Sequence, residues 1–309
     1  MAVAPTGIGA AEARPEGPNR WRGVATVLGA AASNQVGAGL GALAFSAIGP
    51  AGVVAVRQVV AAAVLLPVAR PALRRMAWGQ WWPALLLAVV FATMNLAVYT
   101  AIDRIGLALA ITLEFLGPLS VALAASRSRL DLLMAAVAAA GVYVLVLPGP
   151  ASDLVGLGIG VLAGCSWAAY IVLNRIVGAR LPGLQGPAVA SGLCALGYLP
   201  VLVILTVHGR WSLVAGGLAL VTGLLSSVVP YAADLTALRT VPPRMFGVLS
   251  SAQPAMAALV GLLLLGQSLE AHQVIGIGIV VATNVLAVTT AATRTASSGM
   301  RGGAKPGYR

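Results

Sequence analysis

The chain consists of apolar runs separated by short islands of charged residues or of proline and glycine. The ten runs lie at about 24–45, 51–69, 82–101, 105–125, 131–148, 154–174, 186–207, 213–235, 245–266 and 272–292. Runs of about 18 to 23 residues suit tilted transmembrane helices, whereas a barrel strand has about ten residues of alternating character. The pattern predicts an all-α integral membrane protein with ten transmembrane helices.

The basic residues predict how these helices are oriented. Of 19 Lys and Arg residues, sixteen lie in segments on the same side of the membrane as the N-terminus, Arg104 and Arg210 lie in loops on the opposite side, and Arg57 lies within a span. Cytoplasmic loops are enriched in Lys and Arg. The asymmetry therefore places both termini in the cytoplasm and supports an even number of spans.

Composition excludes a soluble protein, because 59% of the 309 residues are hydrophobic and only 9% are charged, against about 25% charged in soluble domains. The net charge of +11 does not indicate a nucleic-acid partner, because the basic residues are dispersed. Cys165 and Cys194 lack metal-ligand spacing, and the sequence contains no Walker A motif. We expect no metal, no cofactor and no enzymatic activity.

The two halves of the chain resemble each other. Pro118 in the fourth run aligns with Pro254 in the ninth, and Leu66–Pro67 in the second run resembles Leu199–Pro200 in the seventh. Five spans per half is an odd number, so the halves have opposite orientations, as in transporters whose site lies between inverted repeats. The predicted units are a disordered cytoplasmic tail, two five-helix repeats and a disordered basic cytoplasmic tail, at 1–23, 24–148, 154–292 and 293–309.

Two charged residues lie deep in apolar runs. Glu114 is near the middle of the fourth run, where an ionised side chain costs roughly 2.5 to 3.5 kcal/mol, and Pro118 one turn later removes a backbone hydrogen bond. Arg57 lies at a similar depth in the second run and could pair with Glu114 directly or through water. The alternative for Glu114 is a structural role, in which an interior partner holds its side chain. The alternative for Arg57 is that its side chain extends to the outer headgroups as a topological anchor.

Polar and small residues mark further helix faces. Asn95 and Tyr99 are four residues apart and share one face, and Ser33, Asn34 and Gln35 form a polar cluster in the first run. Hydrogen bonds between helices are the alternative to a binding role for each of them. Glycines recur every four residues from Gly29 to Gly41, with Ser33 in the series, and from Gly156 to Gly164. We interpret both stripes as surfaces for close helix packing.

Several segments resemble the EamA family of the drug/metabolite transporter superfamily, with the greatest similarity to its threonine/homoserine exporter branch. These segments are Ser33–Gly37, Met94–Tyr99, Leu113–Pro118, Val121–Leu123, Pro230–Tyr231 and Phe246–Gly247. The resemblance implies a ten-helix inverted-repeat transporter in the bacterial inner membrane that exports small polar metabolites with an ion gradient, most simply of protons. The chain departs from the branch at Gln253 and Gln267, where acidic residues are usual.

The function expected from the residues and the resemblance together is export of neutral amino acids, similar to threonine or homoserine, by alternating access with proton antiport. The expected substrate-binding residues are Asn34, Arg57, Asn95, Tyr99, Glu114, Trp167, Tyr170 and Ser250. Glu114 would bind the ammonium group and exchange it for a proton, Arg57 would bind the carboxylate, and Pro118 and Pro254 would break their helices.

The expected partners are a small-molecule substrate, the lipid bilayer and the proton gradient, and a homodimer is one assembly that this interpretation allows. A membrane enzyme acting on lipid is an alternative, although Asp103 and Arg104 offer only sparse catalytic groups for it. A noncatalytic membrane scaffold is the other alternative, and it predicts no flux of solute.

Overall fold

The computed structural model describes residues 18–124, 129–147, 153–230, 233 and 249–302, and these residues form helices and connecting turns without a strand. The helices are α1 (Pro18–Ala42), α2 (Phe45–Ala69), α3 (Trp78–Ile105), α4 (Leu107–Glu114), α5 (Leu116–Ala124), α6 (Arg129–Val146), α7 (Leu154–Gly178), α8 (Gln185–Gly197), α9 (Leu199–Val207), α10 (Leu213–Gly223), α11 (Gln253–Leu265) and α12 (Ala271–Gly302). A 3₁₀ turn covers Leu73–Arg75, and a π-helical turn, Leu224–Val228, continues α10.

Four helical segments in the described part of the chain are long and apolar enough to cross a membrane. They are α2, α3, α7 and the pair α8 and α9, with mean hydropathies of 1.8 to 2.2. Five further apolar segments of 10–17 residues lie at Leu107–Val121, Leu132–Val146, Leu213–Val228, Gln253–Leu265 and Ala271–Leu286. The chain is thus an all-helical, multi-pass membrane protein, while the count of ten spans and the inverted repeat stay predictions.

The terminal helices extend into the predicted tails. Helix α1 begins at Pro18 rather than near residue 24, and α12 continues to Gly302, beyond residue 292. Proline is favoured in the first turn of a helix because its missing N–H would have no partner there. The eighth and ninth predicted runs lie partly outside the described residues. Tyr231, Phe246 and Gly247 lie outside them entirely.

The helices of the two predicted repeats pack against one another. Helix α3 lies along α7, α2 along α8, α6 along α12 and α1 along α11. The largest apolar core combines buried residues of both predicted repeats, including Val54 of α2, Ile102 of α3, Ala163 of α7 and Ala219 of α10. Any cavity at the centre of this bundle is therefore lined by residues from both.

The glycine stripes pack as the sequence predicts for most of their members. A Cβ atom on Gly160 would lie 2.7 Å from Leu113 Cδ1, and one on Gly164 would lie 2.7 Å from the Leu113 carbonyl oxygen. Gly37 and Gly41 are similarly close to the π-helical turn and to Thr222, whereas Gly29 has open space beside it. These contacts bring α7 against α4, and α1 against α10, at backbone distance.

Pro118 and Pro254, which the sequence analysis expects to break their helices, each lie in the first turn of a helix. Helix α4 ends at Glu114, Phe115 connects it to α5, and Pro118 lies in the first turn of α5. Pro254 follows Gln253 in the first turn of α11. A first-turn proline removes no intrahelical hydrogen bond, so the hydrogen-bond loss expected at Pro118 from the sequence does not occur. The helix is interrupted instead at Phe115, beside Glu114.

Candidate functional site

A cavity of about 440 Å³ lies at the centre of the bundle. The eight residues that the sequence analysis expects to bind substrate all line it: Asn34, Arg57, Asn95, Tyr99, Glu114, Trp167, Tyr170 and Ser250. They come from α1, α2, α3, α4, α7 and the segment before α11. The structure brings these eight residues together around one cavity.

Arg57 is fixed on one wall of this cavity by the π-helical turn. Its Nε donates a 2.9 Å hydrogen bond to Ser227 Oγ, and its Nη2 donates a 2.6 Å hydrogen bond to the Ser226 carbonyl oxygen. The guanidinium carbon lies 5.4 Å from the centre of the Tyr99 ring, in the range of a cation–π contact. The guanidinium therefore lies inside the bundle and does not extend outward as the snorkelling alternative requires.

Glu114, the last residue of α4, lies partly exposed in the same cavity. Among the described residues its carboxylate has no hydrogen bond and no ion pair. The direct pair with Arg57 considered from the sequence is not formed, because the guanidinium bonds to the π-helical turn instead. The cavity thus presents an anionic and a cationic group that are not joined to each other.

Two residues that line the cavity contain buried polar atoms without a partner in the described part of the chain. Within the described part of the chain, Tyr99 Oη and Asn284 Nδ2 are buried without a hydrogen-bond partner. Asn95, by contrast, donates from Nδ2 to the Phe91 carbonyl oxygen of its own helix at 2.7 Å. Buried polar atoms are normally satisfied, so Tyr99 and Asn284 have hydrogen-bonding capacity left for a polar ligand or water. Sequence reasoning missed Asn284.

Gln253 connects α1 to α11 at the cavity wall. Its Oε1 accepts hydrogen bonds from Gln35 Nε2 at 3.1 Å and from Asn34 Nδ2 at 3.4 Å. Asn34 therefore has a structural contact beside its place in the cavity. From the sequence, Gln253 is expected to be a departure from the exporter branch, but nothing in the sequence predicts its place in the cavity wall.

Four aromatic residues also line the cavity. Phe115 and Trp167 are perpendicular with ring centroids 4.9 Å apart, and Phe91 and Tyr170 lie 5.6 Å apart. Offset and edge-to-face arrangements of this kind are the favourable ones for aromatic pairs. These rings give the cavity apolar surface beside its polar groups.

Comparison with known proteins identifies the family. Residues 154–289 match the EamA-like transporter family. The chain is 33% identical to the threonine/homoserine exporter RhtA of Escherichia coli K12 over 271 residues, which cover 86% of this chain and 90% of that protein. The chain belongs to the EamA-like transporter family. The RhtA protein of Salmonella typhimurium SL1344 is 32% identical over the same shares, which confirms the expected exporter branch.

A solved crystal structure shows the same fold. It aligns with a TM-score of 0.56 and 19% identity over 87% of this chain and 98% of its own. Membership of the EamA-like family makes the chain a membrane transporter, which favours transport over the lipid-enzyme and scaffold alternatives.

Gln267, the other position at which the sequence analysis expects this EamA-like chain to differ from its branch, lies at one end of the bundle. Its Oε1 accepts a 3.0 Å hydrogen bond from the Leu107 N–H at the start of α4. A Cβ on Gly106, whose φ is +83°, would lie 3.1 Å from that oxygen. Gln267 thus satisfies a free N–H at a helix N-terminus, where an acceptor is needed.

An ion pair holds α3 to α7 near the same end. Arg104 Nε lies 2.8 Å from Asp153 Oδ2, and Asp153 Oδ1 accepts from the Gly156 N–H at 2.9 Å. The hydrogen bond from Arg104, followed by that from Gly156, lowers the pKa of Asp153 below its ordinary value. Arg104 therefore pairs with Asp153, which weakens the case for a catalytic pair of Asp103 and Arg104.

Proposed function

We propose that this transporter exports small neutral amino acids, such as threonine or homoserine, across the bacterial inner membrane by alternating access with proton antiport. The observation that carries the proposal is the central cavity, which presents the unpaired Glu114 carboxylate and the oriented Arg57 guanidinium together. The names of the RhtA relatives support this choice of substrate.

The charges of the cavity suit a zwitterion. Glu114 receives the ammonium group of the substrate, and Arg57 receives its carboxylate. A guanidinium has five N–H donors, and the π-helical turn takes two of them from Arg57, which leaves Nη1 for the substrate. Bonds between carboxylate and guanidinium are among the strongest that side chains make.

Uncharged groups of the cavity suit the rest of such a substrate. The free Tyr99 Oη and Asn284 Nδ2 can bond to a side-chain hydroxyl, and Trp167 and Tyr170 bound the space available to it. A site that hydrogen-bonds a hydroxyl discriminates strongly against analogues that lack it, because its own polar groups are then left unpaired. We therefore expect hydroxy amino acids to bind better than alanine or valine.

Exchange at Glu114 accounts for coupling. An isolated carboxylate deep in a membrane protein is costly, so a proton replaces the ammonium group on Glu114 when the substrate leaves. Protonated Glu114 then returns to the cytoplasmic side and releases the proton as the next substrate binds. One proton moves inward for each amino acid that moves outward.

The placement of the cavity between residues of the two predicted repeats supports alternating access. Residues 24–148 supply Arg57 and Glu114, and residues 154–292 supply the π-helical turn, Trp167 and Tyr170. When inverted repeats rock against each other, a site between them opens to one side and then to the other. Both termini lie in the cytoplasm in this arrangement.

The decisive experiment is efflux from proteoliposomes loaded with radiolabelled L-threonine, L-homoserine, L-alanine or L-lysine. The proposal predicts efflux of threonine and homoserine that accelerates when the external medium is acidified. Empty liposomes and liposomes with the Glu114→Gln protein are the controls. Absence of threonine and homoserine flux in active preparations contradicts the proposed substrate, and flux that ignores the pH gradient contradicts proton antiport.

A further inference from the structure

The π-helical turn Leu224–Val228 forms a platform beneath Arg57. In a π-helix each N–H bonds to the carbonyl five residues earlier, and such turns are frequent at functional sites. In this turn the Val229 N–H bonds to the Leu224 carbonyl oxygen. The next two carbonyl oxygens accept from side chains of other helices, that of Leu225 from Ser33 Oγ at 2.8 Å and that of Ser226 from Arg57.

Helix α1 holds this platform in place. In addition to the bond from Ser33, Ser226 Oγ donates to the Asn34 carbonyl oxygen at 2.8 Å, and Thr222 Oγ1 donates to the Gly37 carbonyl oxygen at 2.9 Å. A Cβ atom on Gly37 would lie 2.9 Å from Leu225 Cβ, so the two backbones are in direct contact. The turn therefore has a fixed position relative to the cavity.

Among the described residues, Arg57 is the one charged residue whose side chain hydrogen-bonds to the turn, and Ser227 accepts one of its two bonds. Ser227 is 3% exposed, and its hydroxyl accepts from Arg57 Nε, while the Ser226 carbonyl oxygen accepts from Nη2. Two bonds to two nitrogens of a planar group fix its plane and its rotation, whereas one bond leaves it free to turn. The Tyr99 ring supports the same group from another direction.

We infer that Ser227 is a positioning residue that, with the Ser226 carbonyl, aims the unoccupied edge of the Arg57 guanidinium at the substrate carboxylate. The inference rests on the proposed function, because it assigns Arg57 to the carboxylate of an amino acid. Ser227 does not line the cavity, so it acts on the substrate only through Arg57.

The test compares three variants with the wild type. Ser227→Ala removes the acceptor, Ser227→Thr retains a hydroxyl, and Ser166→Ala is the control, because Ser166 is also a buried helical serine but bonds to its own helix at Leu162. The first readout is the concentration dependence of L-threonine efflux. Ser227→Ala should raise KM by about 5- to 10-fold, which corresponds to the net contribution of one ordinary hydrogen bond, and should leave the maximal rate nearly unchanged. The other two variants should match the wild type.

The second readout does not depend on the substrate. Phenylglyoxal modifies accessible guanidinium groups, and mass spectrometry of the purified, folded protein measures its reaction at Arg57 relative to the exposed Arg210. Ser227→Ala should increase labelling of Arg57 several-fold, and Ser166→Ala should not. If Ser227→Thr does not fold, the comparison of Ser227→Ala with Ser166→Ala by labelling stands alone, and unchanged labelling of Arg57 in Ser227→Ala overturns the inference.

A wild-type KM in Ser227→Ala overturns the inference, as does an equal rise of KM in Ser166→Ala. If the wild type does not transport threonine at all, the proposed function fails first. The labelling measurement then decides separately whether Ser227 fixes Arg57, and unchanged labelling overturns that point too.

Discussion

The side-chain oxygen of Gln253 accepts a 3.1 Å hydrogen bond from the Nε2 atom of Gln35, a residue with no exposed surface, and thereby joins α11 to α1. Gln35 Oε1 already lacks a partner in the described structure. Loss of the Gln253 acceptor would leave the Gln35 amide with further unsatisfied groups, which costs about 1–3 kcal/mol per buried group.

Gln253→Leu should therefore lower the thermal unfolding midpoint in detergent, while Gln253→Glu, which keeps an acceptor at the same place, should remain near the wild type. Gln185→Leu at the start of α8 is the matched control, because its side chain makes no hydrogen bond in the described structure. Equal unfolding midpoints for Gln253→Leu and Gln185→Leu would show that the amide contact does not stabilise the bundle.

Gln253→Glu should also change which amino acids compete with threonine for the cavity. The variant adds a second carboxylate to a cavity that already contains Glu114, and complementary charge favours a ligand with an additional cation. We expect external L-lysine to inhibit threonine counterflow more strongly in Gln253→Glu than in the wild type, by about 5-fold or more for one new ion pair. Gln253→Asn at matched protein level is the control, and similar inhibition in both variants would contradict the prediction.

Glu114→Gln should abolish proton coupling. The amide has nearly the shape of the carboxylate, but it has no charge and does not gain or lose a proton in this pH range. External acidification should therefore no longer accelerate threonine efflux. We expect at least about a 10-fold loss of pH-driven flux, the size expected for removal of one ion pair with the substrate.

Asp103→Asn is the control for that loss, because Asp103 is exposed and lies outside the central cavity. The measurement is efflux from proteoliposomes with and without an imposed pH gradient at equal protein content. Undiminished acceleration in Glu114→Gln would remove Glu114 from the coupling mechanism.

Most of the helices and the residues that line the cavity could be predicted from the sequence. The helices follow apolar runs because only helices satisfy backbone hydrogen bonds within a single membrane segment. Polar residues inside those runs, such as Glu114 and Asn95, face the interior because contact with lipid is costly. The eight cavity residues could be collected on this basis together with the family resemblance.

The partners of those residues could not be predicted. Arg57 and Ser227 are 170 positions apart, and depth along two helices does not say toward which neighbour a side chain rotates. Their similar depth in the membrane therefore predicts a pair of Arg57 and Glu114, whereas Arg57 bonds to the π-helical turn. Ser226 and Ser227 gave no signal, because a serine in an apolar helix commonly bonds to its own backbone, as Ser166 does.

The ion pair of Arg104 and Asp153 should make stability depend on pH. Because the pKa of Asp153 is lowered in the folded state, the pair stabilises the fold above the ordinary pKa of an aspartate, and this contribution is lost as the pH falls through the lowered value. Asp153→Asn should consequently unfold at a slightly lower temperature than the wild type at pH 7, and the difference should disappear in strong acid.

Arg104→Ala should produce the same pH dependence, and Arg210→Ala, at an exposed arginine without an ion pair in the described structure, is the control. The measurement is the unfolding midpoint in detergent across a pH series. Equal unfolding midpoints for Asp153→Asn and the wild type at every pH would mean that Asp153 acts only as the N-cap of α7, a role that asparagine fills equally well.

Gly164→Ala should damage the bundle, whereas Gly158→Ala on the same helix should not. A Cβ on Gly164 would meet the backbone oxygens of Leu113 at 2.7 Å and Glu114 at 3.3 Å, and a Cβ on Gly158 would meet nothing within 4 Å. Helix α4 would have to move away from α7, and overpacking of this kind costs about 1–3 kcal/mol.

Alanine at position 158 would instead favour the helix by up to about 1 kcal/mol. Because Leu113 and Glu114 form the end of α4, the Gly164→Ala protein should lose threonine efflux per folded molecule as well as thermal stability. Gel filtration and efflux at matched folded content measure the two effects. A Gly164→Ala transporter as stable and active as Gly158→Ala would show that the close approach of α7 to α4 is not needed to place Glu114 in the cavity.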